Sequence, residues 1–573
     1  MRFQMILVAI ILCSSTYGQK CFIHPSVYEK LQQQSEVTIL VELKEKPGFP
    51  LYQESWSKEK KSTYVYQQLS TVAYKSQKSL IDYFIKKRLE YQPFWILNAI
   101  KVNVDRNNLE EIALSPQVKA IYYDVPFSLK LGQDNSLKKL QERAPEITWG
   151  LNRIGADKVW QMGFEGQGVT LAGEDTGYKW DLEGIKDKYR GWNGSSVDHN
   201  YQWHDAIHSI SVLSADSLNP CGLSLKEPCD DNGHGTHTAG TMVGSTADNL
   251  YGVAPKAKWI GCRNMERGNG APSTYIECFQ FFLAPTDLDG MNPKPELAPH
   301  AINNSWYCSQ GEGCNASNYI YMEEVINNLK KAGIVVVVSA GNDGVGCGTI
   351  SNPPAMFENS FTVGSFASND TISGFSSAGP VRIDSSGRIK PNVVAPGSYV
   401  ISRTLSGELQ GWNGTSMAGP HVAGLVALII SAHPALAGQV EKIETIIEQS
   451  ARPDDAIIDC EGLLNSARPN HVYGYGKIQA DAAVKMALLL KTDEEQRIKT
   501  GFTLSPNPAK DFIKIAFNDN LQHTIQIYDF LGHAILEKFL IQSTGIISIT
   551  DLPKGIYLLK IRETGSSRLF LKN

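Results

Sequence analysis

The spacing of apolar residues changes character several times along the chain. Met5 to Leu12 (MILVAIIL) is a short unbroken apolar run behind Arg2, of export-signal length and too short to cross a bilayer. Small residues follow at Ser14, Ser15 and Thr16, so residues 1–18 read as a signal peptide cut after Gly18. From residue 22 to about 135, strand-like and helix-like patterns alternate. VTILVEL (Val37 to Leu43) predicts a strand, and Lys58 to Leu89, free of Gly and Pro, predicts a long helix. Phe94 to Val104 predicts a second strand, Asn107 to Leu114 a short helix, and Val118 to Tyr123 a closing strand. This β-α-β-α-β order predicts a small α+β unit of ferredoxin-like fold. The polar stretch Lys130 to Glu146 reads as an exposed linker.

Residues 147 to about 490 form the largest block. Apolar runs recur between helix-like segments at Gly168 to Ala172, Trp259 to Cys262, Ile302 to Trp306, Ile334 to Ala340 and Phe361 to Ser365. A run such as IVVVVSA suits a strand buried on both faces, which predicts an α/β domain with a parallel sheet between helices. Residues 502–573 differ again. Short alternating stretches at Phe512 to Phe517, Thr524 to Tyr528, Ile546 to Ile549 and Ile556 to Ile561, broken by Gly, Asn and Pro, predict an all-β sandwich. The charged connector Lys491 to Thr500 predicts that few contacts tie this unit to the block before it.

Charge narrows the partners. Charged residues are only 20% of the 573, and a net charge of -5 gives no footing for nucleic acid or an anionic membrane. Beyond the signal no run of roughly 18 apolar residues occurs, so no membrane span is expected. Of ten cysteines, Cys13 leaves with the signal and Cys21 belongs to the first segment after it. A lipid anchor is disfavoured, because Cys13 follows Ile-Leu and Cys21 follows Gln-Lys rather than a small-residue pair. The other eight are an even set in an oxidising compartment, which predicts disulfides. Short loops suggest Cys221–Cys229 and Cys308–Cys314, leaving Cys262–Cys278 and Cys347–Cys460 as the remainder, although spacing alone does not decide connectivity. No CxxC pair is present to argue for zinc.

Four positions in the central block stand at strand-to-turn or turn-to-helix junctions. Asp175 (VTLAGEDTG) ends an apolar strand before a Thr-Gly turn, at the sheet edge where open α/β folds bind ligands. His234 (DDNGHGTHTAG) opens a helix whose positive end favours a neutral imidazole. Ser416 (NGTSMAGPHVAGLVALII) opens a buried apolar helix amid Gly414, Ala418 and Gly419, which let another chain approach closely. Asn342 (VVVVSAGNDG) follows a buried strand at a Gly-rich turn. Each alone has an ordinary reading: turn residue, helix start, N-cap or turn Asn. His237 and His421 read as packed or hydrogen-bonded histidines. A metal pair of His234 and His237 lacks a third ligand. Together the four supply what peptide hydrolysis needs: a nucleophile, a base, a group that orients the base, and an oxyanion donor.

EDTG, HGTHTAG, SAGND and GTSMAGP resemble the four signature blocks of the subtilisin-like serine peptidases, over roughly Ile147 to Val484. DTGYKWD, YRGWNG, WIGCRNM, NNSW and YGYGKIQA are most similar to the bacillopeptidase F-like subgroup. The resemblance implies that Asp175 orients His234, that His234 is general base and then acid, that Ser416 attacks, and that Asn342 stabilises the oxyanion. It further implies that Asn304, Ser305 and Trp306, with Ser339, Ala340 and Gly341, line a cleft for extended protein or peptide substrates. Gly173-Glu174 before Asp175, and Trp306 after Asn304-Ser305, depart from the family pattern and put its known specificities in doubt. The chemistry requires no cofactor. Structural calcium is common among such peptidases, but Asp287 and Asp289 (APTDLDG) read equally as plain loop residues.

The flanking units carry resemblances of their own. Residues 22–135 are similar to the family's propeptide, an inhibitor and folding chaperone of the protease that follows at 147–490. In residues 502–573, LSPNPAKDFIKI, IYDFLGH and LPKGIYLLKI resemble the sorting domain of the type IX secretion system, which implies the secretion machinery as a partner and delivery to the cell surface or medium after periplasmic transit. A non-catalytic scaffold used as a surface binding module is the rival reading.

Overall fold

The structure, a computed structural model, describes residues 21–128, 146–214, 216, 218–307, 320–455, 460, 466–496, 502–517, 521–540 and 543–573. The signal peptide, the linker after residue 128 and the Cys308–Cys314 pairing lie outside the described residues. Two compact units are present: Met1–Pro47 with Leu69–Asp124, and Gly48–Gln68 with Val125–Asn573.

The first unit is built on β1 (Phe22–Ile23), α1 (Pro25–Leu31), β2 (Val37–Leu43), the later part of α2 (Lys58–Lys87), β3 (Tyr91–Phe94), β4 (Ala99–Val104), α3 (Arg106–Ala113) and β5 (Val118–Tyr123). The predicted single strand Phe94 to Val104 is instead a hairpin, β3 and β4, which pair antiparallel. Its turn ends at Asn98, which has φ 57 and donates through Nδ2 to the Glu45 carbonyl at 2.8 Å. Asparagine tolerates that left-handed backbone better than most side chains, and Gln77 Nε2 ties the turn down by donating to Asn98 Oδ1 at 3.1 Å. The extra strand completes a β-α-β-β-α-β unit, with sheet order β1-β5-β2-β4-β3.

The second unit takes in Gly48–Gln68, with the early part of α2, and continues from Val125 with β6 (Phe127–Ser128), α4 (Trp149–Ile154) and α5 (Ala156–Gln161). Its sheet contains β7 (Thr170–Asp175), β8 (Trp203–Asp205), β9 (Lys258–Arg263), β11 (Ala301–Asn304), β12 (Val335–Ser339), β13 (Phe361–Phe366) and β14 (Val393–Pro396). The order is β14-β13-β12-β11-β7-β9-β8, and every pairing is parallel. Strands β12 (VVVVS) and β14 (VVAP), buried on both faces, are apolar runs as such a sheet demands, whereas β7 (TLAGED), β8 (WHD) and β11 (AINN) end in polar residues. Helices α6 (His234–Val243) and α9 (Thr415–Ala432) cover one face, and α7 (Pro272–Leu283) and α8 (Ile320–Lys331) the other. Side chains alternate accordingly: Leu171, Val335, Val337 and Val363 join α9 in one core. Helix α9 is long and apolar enough by itself to cross a membrane, yet 94% of it is buried inside the protein. Disulfides join Cys221 to Cys229, Cys262 to Cys278, and Cys347 to Cys460.

After α10 (Val440–Ser450) and α11 (Ala480–Gln496), the chain enters a two-sheet all-β unit. One sheet pairs β17 (Phe502–Ser505), β18 (Phe512–Phe517) and β21 (Thr544–Ser548). The other pairs β19 (His523–Tyr528), β20 (Ala534–Leu540), β22 (Gly555–Ile561) and β23 (Ser567–Lys572), and all pairings are antiparallel. The expectation of few contacts to the preceding domain does not hold. Gln449 of α10 donates to the Lys554 carbonyl and accepts from the Ile556 N–H, each at 2.8 Å. Ile556 and Leu571, both under 5% exposed, pack into the core of the central domain. The charged connector marks a boundary in sequence, but the strands beyond it present their own apolar residues to α10 and α11.

Candidate active site

Asp175 is the last residue of β7, and its side chain falls on the α6 face. His234 is the first residue of α6, following Gly233 at φ 98. His234 Nδ1 lies 2.8 Å from Asp175 Oδ1 and 3.0 Å from Oδ2. A carboxylate only accepts, so the imidazole carries a proton on Nδ1. Its Nε2 is buried and without a partner among the described residues. Close approach depends on Gly235, where an added Cβ would stand 2.1 Å from the Gly177 carbonyl oxygen and 3.0 Å from Asp175 Cβ.

A second carboxyl, Asp230, holds this junction together. It accepts from the N–H groups of Asn232, Gly233 and Thr236 at 3.0, 2.7 and 3.0 Å, and so caps the first turn of α6. It also accepts from Thr236 Oγ1 at 2.6 Å and from Thr176 Oγ1 at 2.9 Å, and Thr176 is the neighbour of Asp175. Burial pushes its carboxyl above the usual carboxylate range despite these bonds. Nothing local in the sequence marks the bond between Asp230 and Thr176, 54 residues apart.

Ser416 stands in the first turn of α9, 8% exposed. Its Oγ donates to the Ser305 carbonyl at 3.1 Å, and Ser305 Oγ donates back to the Ser416 carbonyl at 2.8 Å. The nucleophile candidate is thus tied to β11's end in this state, not to His234. Catalytic hydrogen bonds are often made only once substrate is bound. Gly419 seats α9 on the sheet: a Cβ there would meet Asn303 Oδ1 at 2.9 Å. Asn342 accepts through Oδ1 from the Thr415 N–H at 2.9 Å and from Thr415 Oγ1 at 3.0 Å. Both bonds use the oxygen, so the Nδ2 end of the amide is turned away from Thr415.

The predicted cleft residues divide. Gly341 has φ 103 and its N–H donates to Thr415 Oγ1 at 3.3 Å, beside Ser416. Ser339 and Ala340 are buried at the end of β12. Asn304 turns its side chain into the sheet, donating to the Val337 carbonyl at 2.9 Å, and its backbone lies between Val338 of β12 and Glu174 of β7, so the structure places it inside the sheet and not on an open cleft. Trp306 is 1% exposed, its indole N–H donating to Glu174 Oε1 at 3.0 Å and its ring 3.7 Å from that of Tyr275. Tyr275 in turn stacks on Phe127, ring centres 5.3 Å apart and 7° from parallel. Phe127 and Ser128, the strand β6, pair antiparallel with β10 (Asn269–Gly270). Sequence reading missed Tyr275 and β10, since nothing local marks either as a neighbour of Trp306 or of Phe127.

His237 and His421 stay outside this arrangement. His237 stacks on Trp412, ring centres 4.5 Å apart, and sits 3.1 Å from the Gln410 carbonyl. Burial holds its pKa down at about 3. His421 bonds the Met417 carbonyl at 2.9 Å, and burial lowers it to about 4. Asp287 accepts within its own loop, and Asp289 pairs with Lys226. No group of three or more His, Cys, Asp or Glu among the described residues is arranged to hold a metal ion.

Comparison with known families gives a match to the subtilase family over residues 166–476, more than half of the chain and all four signature blocks. The chain belongs to the subtilase family. Bacillopeptidase F of Bacillus subtilis is 32% identical over 446 residues, 74% of this chain and 28% of that protein. A cuticle-degrading serine protease of Arthrobotrys oligospora is 31% identical over 337 residues, 57% of this chain and 66% of that protein. Subtilisin-like protease 1 of Trichophyton rubrum is 30% identical over 335 residues, 57% of this chain and 54% of that protein. The chain therefore spans about a quarter of the first relative and between half and two thirds of the other two. Residues 503–570 match the secretion system C-terminal sorting domain, which marks this subtilase for type IX secretion to the cell surface or medium.

Proposed function

We propose that this subtilase is a serine endopeptidase that cleaves extended protein substrates through an acyl-enzyme and is made as a zymogen. The observation that carries the reading is the buried His234, pinned through Nδ1 to Asp175 and bare at Nε2, in one domain with Ser416 at the start of α9. Rotation of Ser416 about χ1 frees Oγ from the Ser305 carbonyl. Oγ then attacks the substrate carbonyl carbon as its proton passes to His234 Nε2. The new oxyanion takes hydrogen bonds from Asn342 Nδ2 and from the Ser416 N–H, one of the first-turn donors that a helix leaves unpaired. His234 returns the proton to the leaving amine, and water repeats the sequence on the acyl-enzyme. The protein needs no cofactor for these steps, and calcium would serve structure only.

The zymogen reading draws on β6. Phe127-Ser128, placed between the N-terminal unit and the protease, lies along β10 as an extended substrate would. The N-terminal unit then acts as inhibitor and chaperone until the linker between about Lys130 and Glu146 is cut. The test is expression of the wild type and Ser416→Ala, with a fluorophosphonate label and a casein gel. The wild type should label, digest casein and process itself; Ser416→Ala should do none of these and accumulate as precursor. Wild-type turnover in the purified variant would overturn the assignment, and an inert wild type would favour the binding-module reading.

A further inference from the structure

Glu174 takes no part in the chemistry above, yet it adjoins Asp175. Successive strand residues face opposite ways, so Asp175 meets α6 while Glu174 points to the α7 and α8 face. Its side chain is fully buried. Oε1 accepts the Trp306 indole N–H at 3.0 Å, and Oε2 is buried with no partner among the described residues. Among the described residues no cation pairs with it. Burial, with the Asp175 charge adding to it, holds the carboxyl well above the usual range.

The partner explains why an acid is kept there. Trp306 follows Ser305, whose carbonyl holds Ser416 Oγ, and its ring rests on Tyr275, which stacks on Phe127. An indole N–H left without an acceptor at full burial would drive the ring to another position. We propose that Glu174 is a positioning residue that acts through Trp306, fixing the aromatic floor of the pocket filled here by Phe127 and so selecting an aromatic side chain at that place in an extended substrate. The proposal rests on the peptidase reading and on substrate following the track of Phe127-Ser128.

The test compares Glu174→Gln, Glu174→Leu and Trp306→Phe with wild type on two peptides that differ only by Phe or Ala at that place. Glu174→Gln keeps an acceptor of the same size for the indole N–H and should stay within twofold of wild type on both. Glu174→Leu and Trp306→Phe should raise KM for the Phe peptide at least tenfold more than for the Ala peptide. An equal loss on both peptides, or no loss, would overturn the proposal. A readout free of turnover uses the full chain carrying Ser416→Ala, with hydrogen exchange at residues 125–128 and 266–270. Protection there should fall in the Leu variant and persist in the Gln variant, even if wild type proves catalytically inert. Unchanged protection in the Leu variant would also overturn it. If the Leu variant does not fold, Trp306→Phe carries both measurements.

Discussion

The disulfide between Cys347 and Cys460 offers a quantitative test of how this domain is held together. It closes a loop of 113 residues, against 8 for Cys221–Cys229. A cross-link stabilises chiefly by restricting the unfolded chain, and that entropy grows with the logarithm of loop length. At these lengths the relation gives about 4.8 and about 2.5 kcal/mol respectively. Each pair can be removed by double substitution to alanine in a Ser416→Ala background, which prevents self-digestion on the proposed mechanism. The third pair is a poorer control: Cys262 and Cys278 are both fully buried, so alanine there adds a cavity cost at two positions to the lost cross-link, against one, Cys460, in the long-loop pair. Thermolysin susceptibility across a urea series reads the free energy of opening. The Cys347–Cys460 variant should open more easily than the Cys221–Cys229 variant by about 2.3 kcal/mol, a factor of about 50 in the opening constant. Equal costs, or a cost under about 1 kcal/mol for the long loop, would refute the argument and mean that the chain between the two cysteines is already ordered when the domain opens. Function should register the same change. Cys347 lies on the loop that carries Asn342, so in the active background this variant should lose kcat more than substrate affinity.

Two further outcomes are expected. Asn342→Ala should lower kcat by ~10²–10³, about 2.7–4 kcal/mol, with KM nearly unchanged, because the amide meets its oxygen best once charge has developed; steady-state kinetics in which only KM rises would defeat the oxyanion role. His237, held at about 3, is neutral in the folded protein while the unfolded chain protonates it near the ordinary 6.5, so its contribution is intact above about pH 6.5 and is lost as pH falls from there toward 3. Asp231 and Glu448, raised to about 6 and 7 by burial, work in the opposite sense over the same window. The measurement is therefore wild type against His237→Gln, which should gain on wild type by about 1.4 kcal/mol per pH unit below about 6, and parallel stability curves would disprove it.

Local chemistry was enough to expose the four signature blocks, because each lies at a strand end, a turn or a first helical turn whose Gly and small residues announce it within ten positions. The parallel sheet was equally legible, since burial on both faces leaves an unbroken apolar run such as Ile334 to Ala340. The β3–β4 hairpin was not. Its apolar run continues through Trp95 to Leu97, and only the tertiary hold on Asn98 bends it. Strands β8 and β14, three and four residues long, are too short for any period to register. What depended wholly on the fold are the long-range bonds: Asp230 to Thr176, Ser305 to Ser416, Glu174 to Trp306 and Tyr275 to Phe127. Glu174 looked like a polar oddity at a strand end, and Trp306 like an unusual cleft residue. Parallel register sets Glu174 beside Asn304, two residues before Trp306, and thereby brings an acid and an indole together in a site sealed from water. A pattern of apolar and polar positions records which residues leave water, but not which buried polar atoms meet each other; that is decided by register and packing across more than a hundred residues of chain.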